Sequence, residues 1–242
     1  MDFYKYEATE NDFILTTNQK FNKEDITFLC DRHKGIGADG LINIDDNSFV
    51  TIYNQDGSQA AMCGNGLRCV GHLLTKTTNK SDHKVIINNK VAYISKINKD
   101  TFQISINTPL FIKQTANELK GYFIDVYNKH FVMLVDNVEN FDFNDKIKDF
   151  SMKYHTNIEV VEITDKSNIK IRVYEYGVGE TRSCGSGTIA CFFLLLNFNL
   201  VNKEVNAMLK GGTLNVSYNN QGFFLKGKVK LIYKGELYNE LW

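Results

Sequence analysis

The sequence carries no excess of either charge, and this excludes several classes of partner. Its 242 residues include 28 Lys and Arg and 28 Asp and Glu, so the formal net charge at pH 7 is zero. Proteins that bind nucleic acids or membrane surfaces need a basic face, and no run of basic residues occurs here. We therefore expect neither nucleic acid nor membrane as a partner, and a small molecule as the ligand.

Long apolar segments are also lacking. The longest apolar run, at residues 189–196, is far shorter than the about 20 residues that a transmembrane helix needs. The first residues do not combine a basic region with an apolar core, so we expect no secretory signal. Together these absences predict a cytoplasmic protein.

The five cysteines are not spaced for a disulfide framework or a structural zinc site. An odd number, in a long chain without a signal, is typical of free thiols in a reducing compartment. No CxxC pair and no cluster of His and Cys has the spacing of zinc ligands. We therefore expect no metal and five free thiols, at positions 30, 63, 69, 184 and 191.

Short strand-like runs dominate the pattern, and helices are few. Apolar residues alternate with polar ones at 102–106, as in a half-buried strand. Asn22 is a candidate N-cap for a helix at 23–32, because acidic residues follow it in the first turn. A second helix is predicted at Asp145–Tyr154, and two more follow Cys63 and Cys184.

Strand, loop, Cys-Gly-x-Gly and apolar helix recur in the same order in the two halves of the chain. Met-Cys-Gly-Asn-Gly-Leu-Arg at 62–68 is followed 121 positions later by Ser-Cys-Gly-Ser-Gly-Thr-Ile at 183–189. At the same offset Tyr53 corresponds to Tyr174, each at the end of a predicted strand. Such a repeat predicts two similar halves with an active cleft between them. The single proline, Pro109, marks the predicted boundary because it ends an element.

A cysteine at a helix N-terminus can act as a base. The positive end of the helix dipole favours its thiolate, which predicts a lowered pKa for Cys63 and Cys184. One such motif alone is more often an inert buried thiol. Two copies could bracket one carbon, so that one thiolate removes the Cα proton and the other thiol returns a proton to the opposite face. Backbone N–H groups would stabilise the carbanion, from Gly64, Asn65, Gly185 and Ser186.

At these residues the sequence resembles the diaminopimelate epimerase family. The matching segments are Asn-Asp-Phe at 11–13, Gly-Ile-Gly-Ala-Asp-Gly-Leu at 35–41, Tyr-Asn-Gln-Asp-Gly-Ser at 53–58, Met-Cys-Gly-Asn-Gly-Leu-Arg-Cys at 62–69, Arg-Val-Tyr-Glu at 172–175, Gly-Val-Gly-Glu-Thr at 177–181 and Cys-Gly-Ser-Gly at 184–187. These segments are spread over most of the chain and are jointly very specific.

The resemblance implies an α/β (α+β) fold of two pseudo-symmetric domains, each a curled, mainly antiparallel sheet wrapped around a central helix. It implies a first domain at 1–108, to which strands at about 229–242 return, and a second domain at 109–228. It also implies a homodimer that acts without a cofactor on an amino-acid substrate.

The family's functional residues map onto this sequence one by one. Cys63 and Cys184 match its proton donor and acceptor, and His130 and Glu175 match residues that assist the thiols. Four asparagines match its substrate-binding amides: Asn11, Asn54, Asn128 and Asn157. Taken singly, each asparagine is as often a turn residue, and a lone histidine is more often structural.

Two departures bear on the substrate. The family has an arginine after the glutamate at 175, where this sequence has Tyr176, and that arginine pairs with the distal carboxylate of diaminopimelate. Tyrosine donates one neutral hydrogen bond instead of a bidentate, charge-assisted pair. The family's Asn-Pro-His is Asn128-Lys129-His130 here. Lys129 or Arg182 would supply the missing charge if the substrate is LL-diaminopimelate, which the four asparagines favour. Otherwise the enzyme racemises a different amino acid.

Other classes of function remain open at this stage. A thiol hydrolase would use one cysteine with His130, and it leaves the second Cys-Gly-x-Gly copy unexplained. A redox or metal-binding dithiol protein would also use two cysteines. A binding protein that has kept the fold without activity is the least favoured reading, because both thiols and Glu175 are present.

Overall fold

The computed structural model describes residues 1–106, 112–115 and 118–238. The chain divides into two compact units, one of Met1–Ile104 with Gly227–Trp242 and one of Ser105–Lys226. The boundary predicted at Pro109 lies outside the described residues, and the predicted domain limits stay a prediction. Within the described ranges, no helix is long and apolar enough to cross a membrane.

The structure contains strands and helices in the following order. They are β1 (Asp2–Ala8), β2 (Asn11–Thr17), α1 (Lys23–Cys30), β3 (Gly40–Ile44), β4 (Val50–Asn54), α2 (Gly64–Thr78), β5 (Asp82–Ile87), β6 (Lys90–Lys96), β7 (Thr101–Ile106), β8 (Ile112–Thr115), β9 (Gly121–Val126), β10 (Asn128–Leu134), α3 (Asp145–Tyr154), β11 (Asn157–Asp165), β12 (Asn168–Glu175), β13 (Gly179–Thr181), α4 (Gly185–Asn197), β14 (Glu204–Leu209), β15 (Gly212–Asn219), β16 (Gly222–Lys228) and β17 (Lys230–Glu236).

The first unit is a sheet in the order β17-β1-β2-β3-β4, extended by the antiparallel strands β5, β6 and β7. A parallel bridge from Phe49 to Ile86 joins the two sets. β2 and β3 run parallel, and the other neighbours in the first set are antiparallel. The central helix α2 packs against β1, β2, β5 and β6. Its first turns are buried as far as Gly71, so the start of the helix lies within the core.

The second unit repeats this order in β8-β9-β10-β11-β12-β14-β15-β16, with β13 paired to β12. β10 and β11 run parallel, as do β12 and β14. The central helix α4 packs against β9, β10, β11 and β15. It is apolar on all sides, and a helix of this kind is stable only when the sheet surrounds it.

Strand register makes the two units comparable residue by residue. Tyr53 lies opposite Leu41 in the first unit, and Tyr174 lies opposite Ile158 in the second. Strands β2 and β10 run parallel to β3 and β11. Their register makes Phe13 of the first unit correspond to His130 of the second. Two mixed α+β halves, each with a curled sheet around one helix, confirm the predicted fold class.

The predicted helices form, with one difference in length. Asn22 caps α1 through a reciprocal capping box with Asp25, as expected. The helix ends at Cys30 instead of residue 32, because the Asp31 carboxylate accepts the backbone N–H groups of His33 and Lys34 and forms a turn. Helix α3 has the predicted limits. Strands β1, β8, β13 and β14 were not predicted.

Candidate active site

Cys63 is the N-cap residue of α2. Its backbone is extended, with φ −140° and ψ 112°, and its Sγ accepts the backbone N–H of Gly66 at 3.4 Å. Gly64 and Asn65 are the first two residues of the helix, so their N–H groups have no acceptor within it. The Cys63 side chain is partly exposed, whereas Gly64 and Asn65 are buried.

A chain of hydrogen-bonded polar side chains lies beside Cys63. The Oδ1 atom of Asn11 lies 3.9 Å from Cys63 Sγ and accepts Nδ2 of Asn65 at 3.2 Å. Arg68 Nη2 in turn donates to Asn65 Oδ1 at 2.9 Å and to Thr9 Oγ1 at 2.8 Å. The first unit therefore brings together three of the predicted site residues, Cys63, Asn11 and Asn65.

Arg68 is the largest fully buried side chain of the described residues, and sequence reasoning did not assign it to the site. Burial lowers its pKa to about 10, so the guanidinium stays charged at neutral pH. The charge interacts with the thiols of Cys69 and Cys63. A fully buried cation one turn into the helix, linked through Asn65 to Asn11, indicates a positioning function.

Cys184 is the N-cap of α4 in nearly the same geometry. Its φ is −134° and its ψ is 114°, and its Sγ accepts the backbone N–H of Gly187 at 3.4 Å. Ser186 Oγ lies 3.4 Å from the same sulfur. The matching angles show that the second Cys-Gly-x-Gly segment repeats the local backbone of the first.

The predicted lowering of the pKa is wrong for Cys184. Burial raises the pKa of this thiol well above its ordinary value, and the negative charges of Glu175 and Glu159 raise it further. The hydrogen bonds from Ser186 and Gly187 act in the opposite direction and do not compensate. The sequence motif shows the helix N-terminus, but it does not show the burial or the two carboxylates.

A buried pair of His130 and Glu159 lies beside Cys184. Nδ1 of His130 and Oε1 of Glu159 are 2.7 Å apart, and both side chains are completely buried. The other polar atoms, His130 Nε2 and Glu159 Oε2, have no hydrogen-bond partner among the described residues. Sequence reasoning predicted His130 and missed Glu159. A glutamate among apolar neighbours in a predicted buried strand was the available signal.

The same pair is the nearest approach to a metal site in the part of the chain that the structure describes. One atom each of His130, Glu159 and Cys184 lies within 4.8 Å of the others. The 2.7 Å contact of Nδ1 with Oε1 is a hydrogen-bond length, shorter than the roughly 3.3 Å between two ligands of a tetrahedral zinc ion. The geometry therefore favours a histidine–carboxylate hydrogen bond.

Glu175, Asn157 and Tyr176 form a neighbouring group at the end of β12. Oε1 of Glu175 accepts Thr181 Oγ1 at 2.6 Å. Asn157 Oδ1 accepts the backbone N–H of Tyr176 at 2.9 Å. The Tyr176 hydroxyl lies 2.8 Å from Nδ1 of His155, a residue that sequence reasoning did not consider.

The remaining predicted residues lie on the surface of their units. Asn54, at the end of β4, donates through Nδ2 to Ser58 Oγ at 2.9 Å. Asn128 and Lys129 begin β10 and are exposed, and Arg182 is exposed as well. In the strand alignment Asn128 occupies the place of Asn11, since each begins the strand that runs parallel to its neighbour.

Comparison with known proteins places this architecture in one family. The family model described as diaminopimelate epimerase matches residues 3–102 and 122–232. A diaminopimelate epimerase of Campylobacter jejuni is 34% identical over 97% of this chain and 98% of its own length. A diaminopimelate epimerase of Nitratiruptor is 33% identical over 97% of each chain.

Solved structures share the fold at much lower sequence identity. A predicted epimerase of Pseudomonas aeruginosa has a TM-score of 0.77, with 12% identity over 98% of both chains. That likeness bears on the fold alone, whereas the family model and the relatives bear on the chemistry. This chain belongs to the diaminopimelate epimerase family, and it is an isomerase of the amino-acid epimerase and racemase type.

Proposed function

We propose that the enzyme inverts an amino-acid Cα with Cys63 and Cys184 as an acid/base pair that acts from opposite faces of the carbon. No cofactor takes part in this scheme, because backbone N–H donors would stabilise the carbanion. The substrate that we propose is LL-diaminopimelate and the product meso-diaminopimelate, a precursor of lysine and peptidoglycan.

The observation that carries this proposal is the matched pair of helix tips. Each cysteine caps the central helix of its unit, and its sulfur accepts the N–H of the glycine three residues later. A hydrolase needs one thiol and would leave the second tip without a purpose. An inversion by two groups needs one proton acceptor and one proton donor, and the two thiols can supply both.

The surroundings of the sulfurs favour different roles for the two cysteines. Cys184 is buried beside carboxylates that raise its pKa, so it rests as a thiol and donates a proton. Cys63 lies near the charged Arg68, and we assign it the thiolate that removes the Cα proton. After one turnover Cys63 holds the proton and Cys184 is the thiolate. Exchange of a proton with solvent then resets the pair.

Carbanion stabilisation is the role proposed for the first residues of the two helices. The N–H groups of Gly64, Asn65, Gly185 and Ser186 belong to first turns, where backbone donors have no acceptor in the helix. Charge develops on the substrate carboxylate as the proton leaves, and a preorganised donor that is removed costs about 3 kcal/mol. We propose that Asn11, Asn54, Asn128 and Asn157 hold the polar groups of the substrate.

Two lines of support favour diaminopimelate as the substrate. The relatives named above as diaminopimelate epimerases match nearly the whole chain. The four asparagines of the family's substrate site are also present. One specific observation favours a different amino acid, because Tyr176 occupies the place of the distal arginine. The hydrogen bond between the Tyr176 hydroxyl and Nδ1 of His155 places a basic side chain beside that position.

An isomer assay tests the substrate directly. The purified enzyme is incubated in D₂O with LL-diaminopimelate and, separately, with a panel of ordinary L-amino acids, and deuterium at Cα is measured by mass spectrometry. We expect incorporation with LL-diaminopimelate alone. Incorporation only with members of the panel would replace the substrate and keep the chemistry. No incorporation with any amino acid, together with acyl-enzyme formation on an ester, would overturn the proposal in favour of a hydrolase.

The distal pocket can be tested in the same assay. Tyr176→Phe removes the hydroxyl and keeps the ring, so KM for diaminopimelate should rise by about tenfold while kcat changes little. Lys129→Gln and Arg182→Gln serve as matched controls, because each removes one exposed charge. A larger KM effect in either control would assign the distal carboxylate to that residue.

The resemblance also supports two coarser proposals, a homodimer and a cytoplasmic location. Sedimentation of the purified protein at several concentrations tests the first, and a monomer at all of them would exclude it. Fractionation of the source cells tests the second.

A further inference from the structure

We propose that Glu159 is a positioning residue that keeps the proton of His130 on Nδ1 and leaves Nε2 as the atom that serves the reaction. The catalytic part of this inference rests on the proposed function above. Its structural part concerns only the second unit and can be measured without a substrate.

The contact itself is short and shielded. Oε1 of Glu159 lies 2.7 Å from Nδ1 of His130, and neither side chain has any exposed surface. A carboxylate only accepts hydrogen bonds, so the nitrogen that faces it has to be the N–H donor. The ring is thereby fixed in orientation and in tautomer, as in carboxylate–histidine pairs of known catalytic sites.

The first unit shows that the fold does not require this carboxylate. In the aligned strands Glu159 corresponds to Ile42 and His130 corresponds to Phe13. Ile42 and Phe13 are both buried. At these positions the sheet of the first unit therefore has only apolar side chains. At the corresponding positions the second unit has a carboxylate and an imidazole.

The glycine at the start of each central helix reflects the same difference. A Cβ at Gly66 would lie 2.7 Å from Cδ1 of Ile42, and a Cβ at Gly187 would lie 2.2 Å from Oε1 of Glu159. The Glu159 carboxylate thus occupies the space left by Gly187, against the first turn of α4. The positive end of the helix dipole favours a negative charge at that position.

The two unpartnered atoms point to a function instead of a stabilising role. A buried carboxylate contributes little to stability compared with an apolar residue of similar volume, and orphaned polar atoms add a desolvation cost. His130 Nε2 is such an atom among the described residues, and a ring nitrogen of this histidine lies within 4.8 Å of Cys184 Sγ and the Glu159 carboxylate. The contact with Glu159 occupies Nδ1, so Nε2 is the ring nitrogen that remains for the reaction.

Four variants test the inference. Glu159→Gln keeps the shape and removes the charge. Glu162→Gln removes a charge from the same strand at a residue that bonds Lys170 and the Val138 backbone outside the site. The double variant His130→Phe with Glu159→Ile installs the two residues of the first unit. His130→Phe alone identifies the His130 resonance among the five histidines.

The first readout is the imidazole N–H resonance of ¹⁵N-histidine-labelled protein at neutral pH. We expect wild type and Glu162→Gln to show a strongly hydrogen-bonded Nδ1–H of His130, and Glu159→Gln to lose it or to move the proton to Nε2. An unchanged Nδ1–H resonance in Glu159→Gln would overturn the inference.

The second readout is the separation of kcat from KM. Glu159→Gln should lower kcat on the order of 10–100-fold with KM changed less than about threefold, as for other carboxylates that orient a functional histidine. The double variant should melt no lower than wild type and lose at least as much kcat. A kcat loss that only follows a lowered melting temperature, in Glu159→Gln and Glu162→Gln alike, would show a structural role. Absence of turnover in wild type would instead overturn the proposed function, and the resonance would still decide the tautomer.

Discussion

Cys63 and Cys184 begin their helices with nearly the same backbone angles, yet the two thiols have different surroundings. Near Cys63 lie the amides of Asn11 and Asn65, and one turn further along the helix lies the buried cation Arg68. Around Cys184 there are a hydroxyl, an imidazole and two carboxylates. The helix geometry of the two units is therefore repeated, and the charge around the sulfur is not.

Each unit has one buried charge at a place where the other unit has an isoleucine. Arg68 corresponds to Ile189 in the aligned helices, and Glu159 corresponds to Ile42 in the aligned strands. The charges are opposite in sign. The proposed inversion requires one cysteine to start as base and the other as acid, and a symmetric pair of sites would not distinguish them. The difference between the units teaches that the asymmetry comes from side chains, Arg68 and Glu159 among them, and not from the backbone.

The largest effect should come from removing either sulfur. Cys63→Ser and Cys184→Ser should each lower the rate of inversion on the order of 10³-fold, because each removes one of the two proton-transfer groups. The measurement is turnover of the substrate found in the isomer assay. Equal loss in both variants supports two essential thiols, whereas full activity in either would reduce the site to one cysteine. Cys191→Ser, a buried thiol on α4 outside the site, is the matched control.

Arg68→Ile, which copies Ile189, should lower kcat on the order of 100-fold. The variant releases Asn65 and, through it, Asn11, and a misplaced group in the site costs about this factor. Stability should stay within about 2 kcal/mol of wild type, because an apolar residue replaces a buried cation. Chemical denaturation and steady-state kinetics measure the two quantities. An active Arg68→Ile enzyme would show that the cation has no part in positioning the site.

The thiol of Cys184 should resist alkylation at neutral pH. Burial and two carboxylates raise its pKa, so its thiolate fraction at pH 7 falls below that of an ordinary cysteine, and iodoacetamide should react with it at least about tenfold more slowly. The rate should continue to rise with pH above 9. Glu159→Gln and Glu175→Gln should each shift that rise to lower pH, since each removes one negative charge. Peptide mass spectrometry resolves Cys184 from the other four thiols, and a rate that levels off near pH 9 would contradict the prediction.

The smallest expected effect is on stability, when the glycine near the start of each central helix is replaced by alanine. Gly187→Ala should destabilise the protein by about 2 kcal/mol, because the new methyl group displaces a buried carboxylate. Gly66→Ala should change stability by less than about 1 kcal/mol, since it meets the end of a flexible isoleucine and gains helix propensity. Thermal denaturation of both variants gives the comparison. Equal effects would mean that Glu159 does not set the requirement at Gly187.

The repeat and three of the four helices could be predicted closely from local signals, and the fold class from the family resemblance. Identical Cys-Gly-x-Gly segments at one offset revealed the two units, and Asn22 and Asn144 are side-chain caps of the ordinary kind. Strand β1 was missed because Lys5 interrupts its apolar pattern. In the structure that lysine is buried and neutralised by Asp12, a residue on the neighbouring strand. Such a partner is visible only after the strands are paired.

The site could be predicted in its motifs but not in its electrostatics. Asn11 and Cys63 were predicted separately, and the structure places Asn11 Oδ1 3.9 Å from Cys63 Sγ. Arg68 and Glu159 were not assigned to the site. Each of them stands out only when it is compared with the isoleucine at the corresponding position of the other unit. Glu159 and Ile42 do not share the offset of the cysteines, so only the strand register aligns them. The pKa of Cys184 likewise depends on burial that no local pattern reports.

Early-turnover exchange in D₂O tests the central claim of two thiols on one carbon most directly. LL-diaminopimelate, or whichever amino acid proves to be the substrate, is stopped after a small fraction of conversion, and deuterium is measured separately in recovered substrate and in product. Transfer between two thiols predicts one deuterium in nearly every product molecule and almost none in recovered substrate. Deuterium in recovered substrate at the same rate as in product would mean that one group both removes and returns the proton, and would contradict the account.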